Sequence, residues 1–575
     1  MFYLPARGDD AKAAGITEGA AVALGIADAP QGRLFEAEDY SAGDIVEVAG
    51  ASGGKAVKSD HDWQPLIAVP LPDGDAWRLW IRYKGGPLAI KTKDGDHWFW
   101  NKPDHFSWTE VDVFSREDLG GKTLRIGRDA GGVKADTAQI DAVVLAPEKK
   151  RELPPDRPDP AKAPQKLTAS IDWSKIVGGV PPMLWGINEQ QVLSSEGSSD
   201  PVYQKLLGEL KTPLIRVHQA DFTEALTNAE LRDWDVPKLK KNFANSTGYG
   251  DARVMLNIAY VPSWLAPDAT QMSEAQEDEF AALCAHLVRV MREDVKHPVS
   301  YWEVTNEWDN TFEKAGKMDK LWRIYNKCAA AMRKEDPKAR IGGLAFTWAN
   351  AKWINGFLDN CKDIDFISWH NYGTGDLYET NEKIFAGTSS NAGNLAQGVL
   401  DTLKAHGRAD IETFLTETNV KYTWDPYERR HQNQVGSIFH ALVVKKMAEI
   451  GISGVTLWTQ KGRAYGSLID DKDQTLPSYT LYQWGPQYLN GKMVSATSGD
   501  ETLLEILPVI GPGNQKSVLL VNKADHALIL PSAATLLPGK THISCMSADG
   551  LNVDGESKSD GLTLPGYSLT LLTAA

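Results

Sequence analysis

A chain of 575 residues is too long for one hydrophobic core and implies several domains. Its formal net charge of -15 argues against nucleic acid, whose phosphates need a basic face. No run of about eighteen apolar residues is present, so no membrane-spanning segment is expected.

The opening Met1-Phe-Tyr-Leu-Pro5 lacks the pattern of a secretory signal. Residues 1–33 are rich in Ala, Gly and Asp without periodicity and read as an extension. From residue 34 to residue 146 short alternating runs such as Trp77-Arg-Leu-Trp-Ile-Arg-Tyr83 and Ile140-Asp-Ala-Val-Val-Leu145 alternate with Gly, Asp and Pro clusters. Strands at that spacing predict a β-sandwich of roughly a hundred residues.

Phe35-Glu-Ala-Glu-Asp-Tyr40, Gly53-Gly54, Trp63, Val69-Pro-Leu-Pro72 and Ile140-Asp141 resemble carbohydrate-binding modules of families 6 and 35. The resemblance implies a structural calcium held by Glu36, Glu38 and Asp141. Oxygen ligands gathered from both ends of a sandwich suit a hard cation. Solvated acids at strand ends are the plainer reading. Asp94-Gly-Asp-His-Trp-Phe-Trp100, with His105 and Trp108, offers either a sugar platform or ordinary sandwich core. Residues 147–165, crowded with proline and charge, read as an extended, semi-rigid linker.

Residues 166–484 alternate strands and helices. Candidate strands cover residues 183–187, 213–218, 253–259, 300–306, 339–346, 364–370, 413–417 and 454–459. Eight strands, recurring roughly every forty residues, predict a (β/α)₈ barrel. Ser273-x-x-Gln276 opens a helix with a capping box, and Phe280, Leu283, Cys284, Leu287, Val288 and Met291 give it an apolar stripe. Residues 317–334 and 433–450 behave likewise. The competing doubly wound sheet needs a Gly-rich phosphate turn after its first strand, which Trp185-Gly-Ile-Asn-Glu189 is not. Residues 485–575 return to strands and predict a C-terminal β-sandwich, to which residues 166–180 are expected to add an edge. The fold class is therefore multidomain, a central (β/α)₈ TIM barrel between two β-sandwiches. Cys284, Cys328, Cys361 and Cys545 are scattered, without metal-type spacing, and read as free thiols.

Reactive side chains in such barrels project from the carboxyl ends of the strands. Those ends carry Asn188 and Glu189; Arg216 and His218; Tyr260 and Trp264; Asn306 and Glu307, beside Trp308; His370 and Tyr372; Glu417; and Trp458. Glu307 and Glu417, after strands 4 and 7, face each other across the mouth. Two carboxyls in different environments make the acid/base and nucleophile of a glycosidase. Glu307 would protonate the leaving oxygen and Glu417 attack the anomeric carbon. Asn306 is placed to bind an adjacent sugar hydroxyl, Arg216 and Tyr372 to hold Glu417 ionised, and Trp458 to form an apolar floor. His218 and His370 are expected in substrate binding, with Trp264 and Trp308 as rim platforms or packing. Nineteen Trp and seventeen Tyr suit stacking on sugar rings as well as core. No cofactor is expected in catalysis, since no His spacing suits a catalytic zinc.

Ile215-Arg-Val-His218, Trp302-Glu-Val-Thr-Asn-Glu-Trp-Asp309, Ile364-Asp-Phe-Ile-Ser-Trp-His-Asn-Tyr372 and Leu415-Thr-Glu-Thr-Asn419 resemble clan A glycoside hydrolases, and within them family 39, which holds β-xylosidases and α-iduronidases. The resemblance implies retention of anomeric configuration and a carbohydrate partner. Thr305-Asn-Glu-Trp308 departs from the family's usual Trp-Asn-Glu-Pro. An extracellular or periplasmic, bacterial-type setting is expected, although no signal peptide is recognised. Lys421, Lys461 and Arg463 pose the question of a uronate or sulfated substrate, against the reading of ordinary loop charges. A non-catalytic glycan-binding protein and a transglycosylase remain the alternative functions.

Overall fold

The structure is a computed structural model and describes residues 31–59, 65–93, 95–99, 103–128, 138–190, 200–244, 247–423, 427–462, 464–531, 535–537, 541–554 and 561–574. The predicted extension up to residue 30, Trp63, Asp94, Trp100 and Arg463 lie outside the described residues. The chain divides into two compact units, Met1–Leu153 with Thr423–Tyr427, and Pro154–Tyr422 with Glu428–Ala575.

The first unit has a six-stranded and a four-stranded antiparallel sheet. In Ala76–Lys84, strict alternation turns Trp77, Leu79, Ile81 and Tyr83 inward. They pack with Ile67, Val69, Ile90, Leu124 and Ile126 of the other sheet in one core, the arrangement of a sandwich.

In the second unit eight parallel strands close into a barrel, each bonded to the next and the last to the first. They are β1 (Gly186–Glu189), β2 (Leu214–Val217), β3 (Arg253–Ile258), β4 (Tyr301–Val304), β5 (Ile341–Phe346), β6 (Phe366–His370), β7 (Glu412–Thr418) and β8 (Gly454–Leu457). The strand expected over residues 183–187 begins later, because Pro182–Trp185 forms a 3₁₀ turn that starts on its proline. Around the barrel run α1 (Glu274–Val290), α2 (Trp308–Lys314), α3 (Met318–Glu335), α4 (Ala351–Asn360) and α5 (Gln434–Ile450), among other helices. The Ser273/Gln276 capping box starts α1 as expected. Cys284, Cys328 and Cys361 are buried free thiols, and Cys545 is a half-buried one.

Ala169–Val180 leaves the barrel to pair antiparallel with Gly491–Ser498, at the edge of a seven-stranded sheet. Leu507, Val509, Leu519, Val521, Leu569 and Leu571 of that sheet share one core with α5, which is why α5 is apolar nearly all round. The proline-rich stretch is not a free spacer from residue 154 onward. Asn381 donates to the carbonyl of Pro155 at 2.6 Å, Arg429 and Gln434 donate to those of Pro154 and Asp156, and Arg429 pairs with Asp156 at 3.3 Å. Backbone carbonyls that proline leaves without strand partners are thus satisfied by the barrel.

Candidate active site

The strand period builds the site. In five strands an apolar inward residue is followed two positions later by a polar one: Leu214 and Arg216, Met255 and Asn257, Tyr301 and Glu303, Phe366 and Ser368, Phe414 and Thr416. The five apolar residues close the amino-terminal end as a small separate core. The buried polar layer therefore lies toward the carboxyl ends, where the loops begin.

Arg216 organises that layer. Its guanidinium is fully buried and donates from Nε to Glu303 Oε2 at 2.7 Å, from Nη1 to Asn188 Oδ1 and Glu417 Oε1, both at 2.9 Å, and from Nη2 to Asn306 Oδ1 at 2.8 Å. Because arginine only donates, the oxygen of the Asn306 amide faces it and the amide nitrogen is turned away. Asn257 donates to Glu303 Oε2 at 2.7 Å and shares a 2.7 Å hydrogen bond with His218 Nδ1.

Two local irregularities aim the paired acids. After β4, Thr305 (φ 69°) and Glu307 (φ 55°) adopt left-handed conformations on either side of Asn306, and the Glu307 amide donates to the Ala345 carbonyl at 2.9 Å. Opposite β6, β7 shifts register between Leu415 and Glu417, so Glu417 joins the inward set that ends at Thr416. Tyr372 donates its hydroxyl to Glu417 Oε2 at 2.8 Å. His370 stands between the acids, with Nδ1 2.6 Å from Glu307 Oε1 and Nε2 3.4 Å from Glu417 Oε1. One ligand atom from each of Glu307, His370 and Glu417 lies within 4.8 Å of the other two. The Glu307 side chain is 36% exposed and that of Glu417 only 7%, so the first opens to the mouth and the second sits at its floor.

The trio shares its protons. Burial pushes the Glu417 carboxyl up, offset in part by His370 and Arg216. Burial also pushes Glu307 up, but the His370 hydrogen bond and charge outweigh it and leave Glu307 below its ordinary value. His370 is lowered by burial and raised more by the two carboxylates, ending above its ordinary value. Titration therefore belongs to the set rather than to one residue. A metal at the mouth would have to be held by these three atoms, and the short His370–Glu307 hydrogen bond already occupies Nδ1.

The structure brings Glu307, Glu417, Asn306, Arg216, His218, His370, Tyr372 and Trp458 together, the last with its ring 5.2 Å from His218. Of the two tryptophans offered as rim platforms or packing, Trp308 packs. Trp308 is buried, stacked between Phe280 at 6.0 Å and Phe312 at 5.6 Å, because the chain turns into α2 at that residue. Trp264 is half-buried, donates to Thr227 Oγ1 at 2.9 Å and is covered by the Arg232 guanidinium at 5.0 Å. Arg216, expected to hold Glu417 ionised, has no exposed surface and so bears on a substrate through Glu417 and Asn306. Lys461 is paired with Asp473 at 2.6 Å and Lys421 is buried. Glu303 and Asn257 were not foreseen as site residues. Glu189, at the end of β1, is buried and accepts from Tyr249 at 2.6 Å, Tyr203 at 2.9 Å and Gln460 at 3.2 Å. The available signal was an ionisable residue inside an apolar strand, which burial tolerates only with a partner.

A closed barrel with two carboxyls at its carboxyl-terminal mouth is the architecture of barrel glycosidases. Residues 270–477 match the sequence profile of glycosyl hydrolases family 39. A β-xylosidase from Caldicellulosiruptor saccharolyticus is 28% identical over 247 residues, which is 39% of this chain and 49% of that protein. The chain thus spans about half the length of that relative. Among solved structures, a monomeric β-xylosidase from Caulobacter crescentus CB15 superposes with a TM-score of 0.54 at 14% identity, over 71% of this chain and 99% of the other. A glucosidase from Croceicoccus marinus gives 0.54 at 14% over 72% and 99%. A family 51 α-L-arabinofuranosidase from Bifidobacterium longum gives 0.51 at 12% over 72% and 100%. These structures share the fold. No helix among the described residues is long and apolar enough to cross a membrane.

Proposed function

We propose that this protein is a retaining glycoside hydrolase, acting on an oligo- or polysaccharide by double displacement. Glu417 attacks the anomeric carbon while Glu307 donates its proton to the departing glycosidic oxygen. Glu307 then takes a proton from water, which releases the sugar from Glu417 with its configuration restored. The observation that carries this reading is the approach of Glu307 and Glu417 oxygens to within 4.8 Å, near the roughly 5 Å of retaining enzymes and short of the roughly 6.5–9.5 Å that inversion needs for a water. Arg216 and Tyr372 orient Glu417, and the outward amide nitrogen of Asn306 donates to a sugar hydroxyl. The name of the relative makes a β-linked xylosyl unit the first substrate to assay. Lys461 is already paired with Asp473 and gives no support to a uronate or sulfate. The test is Glu417→Ala with added azide. Activity should vanish and return as a glycosyl azide of inverted configuration; full activity in the variant without azide would refute the assignment.

For the N-terminal module we propose a carbohydrate-binding role with a structural calcium. Glu36 Oε2 and Glu38 Oε2 are buried without a hydrogen-bond partner, which fits oxygen ligands awaiting a cation. Asp141 fits less well, since Oδ1 accepts from the Ser52 amide at 2.6 Å and Oδ2 is paired with Arg82. Glu36 and Glu38 would hold the ion, and Asp141 would orient the loop that closes over it.

A further inference from the structure

Among the described residues, the aromatic side chains with the greatest exposure are Tyr260 (37%), Trp348 (39%) and Tyr422 (59%). Scattered surface aromatics would need no explanation. These three, however, all follow the carboxyl ends of barrel strands, two residues after β3, two after β5 and four after β7. Each has a different relation to the acids. Tyr260 is hydrogen-bonded to Asn306 and is pushed up to about 12 by burial of its hydroxyl. Tyr422 packs edge-on against Tyr372 at 6.5 Å, on the side of the nucleophile. Trp348 follows β5, which pairs with β4, the strand that leads to Glu307.

The Trp348 turn is anchored from the segment that carries the acid. The Thr347 amide donates to Asp309 Oδ1 at 3.1 Å, and Asn310 Nδ2 donates to Thr347 Oγ1 at 3.1 Å. The Asn350 amide donates to the Trp348 carbonyl at 2.7 Å, and one side of the indole rests on buried Trp353, centroids 4.7 Å apart. An indole held from behind, with part of its surface left to water, is a flat and rigid apolar plate.

We propose that Trp348 is the platform for the leaving-group sugar, so that the substrate is a glycoside whose departing group is itself a sugar ring. This rests on Glu307 being the proton donor, because the donor stands on the side from which the leaving oxygen departs. The ring bound there supplies binding energy remote from the reacting bond and positions the oxygen against Glu307.

The test compares wild type, Trp348→Ala and Trp348→Phe on β-xylosyl, β-glucosyl and β-galactosyl fluorides, whose leaving group has no ring, and on the matching β-1,4-linked disaccharides. On whichever sugar wild type accepts, Trp348→Ala should lose on the order of ten-fold or more in kcat/KM on the disaccharide, keep its fluoride rate within about two-fold, and be partly rescued by Phe. Equal loss on both substrates, or loss on neither, overturns the platform while leaving the glycosidase reading intact. Wild type that turns over a fluoride but none of the disaccharides overturns the platform and leaves the glycosidase reading intact.

Discussion

Arg216 Nε and Glu303 Oε2 lie 2.7 Å apart inside the barrel, both side chains without exposed surface. Neither touches the mouth, yet the same guanidinium holds Glu417 and Asn306. Arg216→Met should therefore strand two buried carboxylates and destabilise the protein by about 3–5 kcal/mol. Arg216→Met combined with Glu303→Gln should regain much of that stability but no activity, since Glu417 still lacks its partner. Denaturant midpoints and kcat/KM separate the two effects. A double variant as unstable as the single one would show that the pair is not what the stability depends on.

His370 lowers the proton affinity of both acids. Activity requires the set to hold one proton that Glu307 can deliver while Glu417 is ionised, so both limbs belong to the set rather than to either acid. In His370→Gln both carboxyls rise, so both limbs of the kcat/KM profile should move to higher pH. A profile that stays in place or moves to lower pH would remove His370 from the proton-sharing set.

Trp308 is core rather than rim. Trp308→Ala should cost about 3–5 kcal/mol of stability through the cavity left between Phe280 and Phe312. KM of the folded variant should stay within about two-fold of wild type. A KM change of ten-fold or more with an unchanged melting temperature would return Trp308 to the substrate.

Glu36 is pushed up to about 7 from its ordinary 4.5, mainly by burial and further by Asp141 and Glu38. A carboxyl raised on folding disfavours the folded state once ionised. In chelator the N-terminal module should thus lose stability as pH rises from 4.5 toward 7, and calcium should reverse that slope. Calorimetry with and without calcium checks this; identical slopes would exclude the ion from this cluster.

Much of this was legible because it rests on period. Alternation locates the eight barrel strands, and the strand ends locate Glu307 and Glu417. What escaped depends on irregular backbone. Trp308 flanks Glu307 in sequence, but the start of α2 carries it into packing against α1. Trp348 sits in a turn, Phe346-Thr-Trp-Ala-Asn350, that no repeat distinguishes from any other loop. Glu303 was visible as an acid in an apolar strand, and Arg216 as a base in another, but only the closed barrel brings the two together.

The left-handed turn at Thr305 and Glu307 has a bearing on durability. Each L-residue held there costs roughly 1–2 kcal/mol that glycine would not. Glu307→Gly should then abolish turnover and melt at a higher temperature than the active protein. The mouth of the barrel would be a place where the chain is least at ease with its own backbone, and a search for heat-tolerant variants would tend to select dead ones at this position.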